Sequence, residues 1–231
     1  MHSRISISIL SLALIAFSPA KAQWHTGLQG GRSYNTLLTN IDNLPSERYV
    51  SVYAWTAAIP VWYTWSSGIS LNGELSFMQK NYQIWDTTTY HYGQNQAVRN
   101  NYLQLAFGPG YEYSIGKIFL AASAGFYGAY WLSSHIRGHY SNFFSADSIW
   151  SEYSYDTNYS FDSHKDRRWE WGWQVGGNVG YSFYKGYIAN IGIRYYQSLT
   201  DQQKQYMLDQ IPRYNRTWGF TLGVLKKLGR K

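Results

Sequence analysis

The stretch "RRWEWGWQVGGNVGYSF", residues 167–183, is two interleaved sequences. Every second residue from Trp169 gives Trp169, Trp171, Trp173, Val175, Gly177, Val179, Tyr181 and Phe183, an apolar set with rings at both ends. The others, from Arg168 through Glu170, Gln174 and Asn178 to Ser182, are charged, polar or Gly. A period of two is the mark of a strand with two unlike faces. The question it raises is which face meets water.

Similar stretches recur at about 24–35, 48–64, 68–85, 99–114, 117–133, 187–198 and 214–226, so the spacing predicts eight strands. The connectors alternate in length. Those after the second, fourth and sixth strands are tight: "SSG" (66–68), "SIG" (114–116) and "YKG" (184–186). Those at about 36–47, 86–98, 134–167 and 199–213 are longer and polar. Short turns at one rim and long loops at the other form the pattern of an outer-membrane barrel.

Composition agrees. Of 231 residues, 23 are Tyr and 11 Trp, and charged residues make up only 14%, against about 25% in soluble domains. The mean hydropathy is nevertheless negative. After the first residues no segment holds 18 consecutive apolar residues. A membrane-spanning chain of this kind must be a closed barrel, which satisfies its backbone polar groups between strands. A soluble, lipocalin-like barrel is the alternative. It turns its apolar face inward around a ligand and leaves the protein soluble without detergent. The rings at the strand ends favour lipid, because amphipathic rings settle at headgroup level. Trp169, Trp171 and Trp173 are expected at one interface, and Tyr111, Tyr113, Tyr181 and Phe183 at the other.

The N-terminus "MHSRISISILSLALIAFSPAKA" has basic residues (His2, Arg4), an apolar run from Ile5 to Phe17, and small residues at Ala20 and Ala22. This is the form of a secretory signal peptide. Residues 1–22 are expected to be cleaved, leaving residues 23–231 as one barrel domain that starts at Gln23. There is no Cys, so disulfides and thiolate metal sites are excluded. The net charge of +7 falls to +5 without Arg4 and Lys21. In an exported chain this charge suits anionic lipid phosphates rather than nucleic acid. Arg99, Arg167, Arg168 and Arg213 are expected near the outer rim.

Five segments carry a family resemblance. "WHTGLQGGRSYNTLL" resembles the glycine-rich first strand of the PorT-like outer-membrane β-barrel family, common in the Bacteroidetes lineage. "NYLQLAFGPGYEYSIGKIFLAASAGFYGAYW" (101–131) is similar to its central hairpin. "WGWQVGGNVGYSF" with "IANIGIRYYQSLTD" is similar to its penultimate hairpin, and "RTWGFTLGVLKKLG" to its closing strand. The resemblance implies an eight-stranded antiparallel up-and-down transmembrane β-barrel of the Gram-negative cell outer membrane, after a cleaved signal peptide. It implies a structural, interaction or secretion-accessory role, not an enzyme. One class of members assists secretion across the outer membrane. The expected partners are outer-membrane lipid or lipopolysaccharide, and envelope or secretion-machinery proteins. No cofactor is expected.

Two local features offer chemistry. "HYSN" (139–142), with Glu152 beyond it, resembles the His-x-Ser-Asn of outer-membrane lipid A deacylases. That likeness implies Ser141 as nucleophile, His139 as base and Glu152 as orienting acid. The motif falls in the longest loop, however, with three strands still to come. The same loop holds Asp147, Asp156, Asp162, Asp166, His135 and His164, at spacings that match neither a calcium loop nor a tetrahedral zinc site. The expected reading is a polar recognition loop and no metal. Inside the barrel, Glu74, Glu112, Glu170 and Arg194 fall on the polar faces. Three acids and one base in a narrow interior must pair. Arg194 is expected to meet Glu74 or Glu112, and Lys80 or Arg168 to meet Glu170. Such a network closes the lumen, whereas a small transport pore leaves it open.

Overall fold

The computed structural model describes residues 23–40, 47–86, 95–144 and 149–228. The expected signal peptide (1–22) and Asp147 lie outside the described residues. The strands are β1 (Gln23–Thr39), β2 (Glu47–Thr64), β3 (Ile69–Gln79), β4 (Tyr82–Asp86), β5 (Asn95–Ile115), β6 (Ile118–Phe144), β7 (Ile149–Asn158), β8 (Trp169–Tyr184), β9 (Tyr187–Ser198) and β10 (Arg213–Leu228). Among the described residues there is no helix.

Every pairing is antiparallel, and the ring closes where β1 meets β10 from Trp24–Leu228 to Thr39–Arg213. β3 and β4 both lie between β2 and β5, so they are two halves of one stave and the barrel has eight staves. This is the ring the alternation predicts, with one interruption inside the expected strand 68–85. It falls at Lys80 and Asn81, where Lys80 donates its backbone N–H to the Asn100 carbonyl and the Asn81 side chain accepts from the Asn100 N–H. Opposite it, β2 runs from Ser51 to Thr56 while its partners run only from Tyr82 to Met78. The extra residue is a bulge, which re-aims side chains near a barrel rim.

The tight turns follow their glycines. Gly186 has φ 80° and Lys185 φ 34°, and a hairpin with positive φ at both central residues has the twist that its strands need.

The expected loop 134–167 is corrected by the structure. β6 continues to Phe144, and β7 returns along it from Ile149–Phe144 to Asn158–His135. Beyond the membrane the outer face of β6 has no lipid to meet, and Ser134 and Ile136 on its inner face line a polar cavity, so "SSHIRGHYSN" loses the apolar alternation that marks the lower strands. β7 pairs only with β6 among the described strands and stands outside the ring.

Parity sorts the wall. Trp169, Trp171, Tyr111, Tyr113, Tyr181 and Phe183 are exposed on the outer surface, and Trp173 is 36% exposed. At the long-loop end Tyr34 lies by Tyr53, Tyr130 by Trp169, and Trp173, Tyr195 and Trp218 form a chain of contacts. At the turn end Trp24, Tyr63 and Trp65 cluster, as do Phe183 and Tyr187. These are two aromatic rings with Leu, Ile and Val exposed between them, the girdled apolar band of a membrane barrel.

Candidate functional site

The interior is polar and layered. Nearest the long-loop end, Tyr82, Val98 and Leu37 form an apolar lining with Tyr49 and Ile84. A cavity of about 310 Å³ opens there between Glu47, Tyr82, Trp131, Asp166, Gln202 and Arg213. Its wall includes the segment between β7 and β8. Tyr159 donates to Asp166 at 3.0 Å. Burial, helped by the Asp166 carboxylate, pushes the Tyr159 phenol up to about 12.

Below the cavity lies a cationic centre. Lys80 is fully buried, and its Nζ stands 2.5 Å from Glu170 Oε1. It also lies 4.8 Å from the Tyr102 ring and 4.9 Å from the Tyr127 ring. Tyr127 donates its hydroxyl to the same carboxylate oxygen at 2.7 Å, and Asn215 donates Nδ2 to Oε2 at 2.6 Å. Asn215 in turn accepts from Asn35 Nδ2, and Asn35 accepts from Thr217. Gln202, from the β9–β10 connection, donates to Tyr102. The β3–β4 interruption places Lys80, so a local break in one stave positions the deepest charge of this layer.

The next layer holds the second pair. Arg194 bridges Glu74, Tyr196 donates to Glu74 at 3.1 Å, and Arg194 reaches Gln29 at 3.5 Å. Glu112 sits apart, at the turn end, where it accepts from Thr64 at 3.0 Å and lies 3.8 Å from His25. Trp62, Phe119, Ile188 and Leu225 pack together at that end. Of the four charges singled out from the sequence, the structure thus brings Glu74 and Arg194 together. Glu170 has Lys80 as its partner, and Glu112 has neither base. Arg168 is turned to the backbone carbonyls of Trp131 and Leu132. Alternation alone missed Tyr127, Tyr196 and Asn215 as members. The signal was available, because Tyr127 lies on the opposite parity to Phe126 and Tyr130, which face outward on β6.

Outside the barrel, the β6–β7 hairpin sets Ser141 directly opposite Glu152, with His139 opposite Ser154. The register therefore draws the three candidate catalytic residues to one end of the hairpin, although the side chain of Ser141 lies outside the described residues. His139 and Glu152 are exposed. His135 Nε2 is 2.6 Å from Asp156. Among the described residues no three His, Asp or Glu side chains converge as a metal site. Of the four arginines expected at the rim, Arg99 and Arg167 are exposed, whereas Arg213 lines the inner cavity.

Comparisons place this architecture. No curated protein matches the sequence. Among solved structures, the chain is similar to Neisserial surface protein A at 10% identity, over 90% of this chain and 99% of that one, with a TM-score of 0.41. It is similar to OprG from Pseudomonas aeruginosa at 12% identity, over 91% and 98%, with a TM-score of 0.47. It is also similar to the outer membrane protease OmpT from Escherichia coli at 8% identity, over 91% and 98%, with a TM-score of 0.49. Residues 18–203 match the family described as "Outer membrane protein beta-barrel domain", and with most of its length inside that match the chain belongs to this outer-membrane β-barrel family.

Proposed function

We propose that the protein is a closed, non-enzymatic barrel of the PorT-like type, exported by cleavage of residues 1–22, that works through its extracellular surface. Its role is structural, interactive or accessory to secretion, not conductive. The observation that carries this reading is the Lys80–Glu170 pair with its Tyr127 and Asn215 donors. A permeating ion has to displace a fully desolvated lysine whose counter-charge takes three hydrogen bonds. Below it, Arg194–Glu74 forms a second bar across the same interior. Eight staves leave only enough room for side chains to fill. The working surface is then the β6–β7 hairpin and the neighbouring ends of β4 and β5. A cleft of about 590 Å³ opens there between Trp85, Asn95, Arg137, His139 and Tyr155. Aromatic, amide and charged groups on strands and loops of this kind suit recognition.

The test is conductance. Purified barrel in planar bilayers gives no steady single-channel current, and a large, steady current refutes the closed lumen in favour of a small pore. Pull-down of envelope proteins in mild detergent then looks for the partner. One observation favours an enzyme instead: the register that sets Ser141 against Glu152 near His139. An acyl-ester hydrolase working through these residues releases fatty acid from lipid A and loses that activity in Ser141→Ala. On the reading preferred here, neither protein releases any.

A further inference from the structure

The lipid-facing wall carries a trough, and the ladder defines it. Across neighbouring strands Arg32 pairs with Phe220, Phe220 with Ile193, Ile193 with Gly177, Gly177 with Ala122, and Ala122 with Tyr111. All six belong to one outward row, and in its middle Gly177 and Ala122 leave the wall almost bare. The row beside it, Leu222, Ile191, Val179, Leu120 and Tyr113, is bulky. Together they border a single groove of about 820 Å³. Five interstrand steps of about 4.8 Å make the row roughly 24 Å long. It climbs across the band, because Tyr111 stands four residues from the turn end of β5 at Ile115, while Arg32 stands nine from Gln23 on β1.

Packing does not require the bare centre. A Cβ at Gly177 meets nothing nearer than 3.7 Å, whereas one at Gly128, also on the lipid face, runs into the Trp171 ring at 2.6 Å. Gly128 makes room for a neighbour inside the fold. Gly177 makes room for something outside it.

Arg32 ends the groove. Its guanidinium lies 3.8 Å over the Trp55 ring in the outer aromatic ring, and the residue is exposed. Of the described carboxylates on the ring strands, Glu74, Glu112 and Glu170 belong to the lumen, and Glu47 lines the inner cavity and stands opposite Asp86 at the long-loop ends of β2 and β4, away from Arg32. A guanidinium placed over an indole still has N–H groups to offer, and these match a phosphate. An apolar trough that ends in such a group has the polarity of a phospholipid-like molecule, with the tail along the row and the anion at the outer rim.

We propose that this groove binds one phosphorylated lipid of the outer leaflet, an acyl chain lying over Gly177 and Ala122 and a phosphate on Arg32. The proposal deepens the outer-membrane reading and is independent of whether the lumen is closed, since Arg32 and Gly177 take no part in the lumen.

The test uses the mature barrel in mild detergent, incubated with diphosphoryl lipid A or with the same lipid after phosphate removal, with bound lipid counted by native mass spectrometry. The native protein retains one lipid A and about tenfold less of the dephosphorylated form. Arg32→Gln lowers lipid A retention about tenfold, and Arg32→Lys restores most of it. Gly177→Leu, which the backbone accommodates, lowers retention of both lipids. Arg216→Gln, an exposed arginine outside the groove, changes retention less than twofold. Heat-modifiable gel mobility shows that each variant has folded. Equal retention of the two lipids, indifference to Arg32→Gln and Gly177→Leu, or a lipid-free dimer that Gly177→Leu dissociates would each overturn the proposal.

Discussion

Replacing Glu170 with Leu removes the acceptor of three buried donors at once: Lys80 Nζ at 2.5 Å, Tyr127 hydroxyl at 2.7 Å and Asn215 Nδ2 at 2.6 Å. Lys80 has no exposed surface, so water cannot take the place of the carboxylate without opening the barrel. Breaking a buried pair by removing one partner costs about 3–5 kcal/mol, because the other charge stays behind uncompensated. With a urea dependence of about 2 kcal/mol per M, the unfolding midpoint falls by about 1.5–2.5 M. The assay is the gel shift between folded and unfolded barrel along a urea series in detergent. Lys80→Met causes a smaller loss, because it leaves a carboxylate that still accepts from Tyr127 and Asn215. The double variant Lys80→Met/Glu170→Leu recovers much of the loss, because apolar replacement of a whole buried pair is often close to neutral. The coupling in this cycle is therefore about 2 kcal/mol or more. Additive losses, or a Glu170→Leu variant as stable as the parent, would refute the claim that the two charges depend on each other.

Three further outcomes are expected. The protein fractionates with the outer membrane, resists alkaline carbonate extraction and migrates differently before and after boiling; recovery in the soluble periplasm contradicts this. Since the chain has no Cys, Ser154→Cys on the β7 hairpin is labelled on whole cells by a membrane-impermeant maleimide and Ser67→Cys in a tight turn is not; the reverse pattern inverts the topology. The Tyr159–Asp166 contact holds the segment before β8 in place below about pH 10, the ordinary phenol value. Because the folded phenol is raised, to about 12, that support is lost as pH rises through this range. A fluorophore on Ser163→Cys gains mobility there in the parent protein, while in Tyr159→Phe its mobility is pH-independent.

The eight-strand ring, the direction of its faces and the parity of its turns were legible in the sequence because lipid on one side and a packed polar interior on the other imprint a strict period of two. Trp169, Trp171 and Trp173 declare their face without any knowledge of their neighbours. That imprint ends where the membrane ends. Past Leu132 the outer face of β6 no longer meets lipid, and its inner face lines the polar cavity with Ser134 and Ile136, so the strand continues to Phe144 while its sequence reads as loop. Alternation also assigns a residue to a face but not to a height. Which acid meets which base depends on register and shear, which are properties of the closed ring. Only the tertiary structure therefore paired Glu170 with Lys80, left Glu112 to His25 and Thr64, and turned Arg168 onto backbone carbonyls. The outward row from Arg32 to Tyr111 has the same origin. Its six residues come from six strands spread over nearly two hundred positions, and no local pattern links them. The ladder sets them side by side because each strand's register is fixed by its two neighbours and by closure of the barrel.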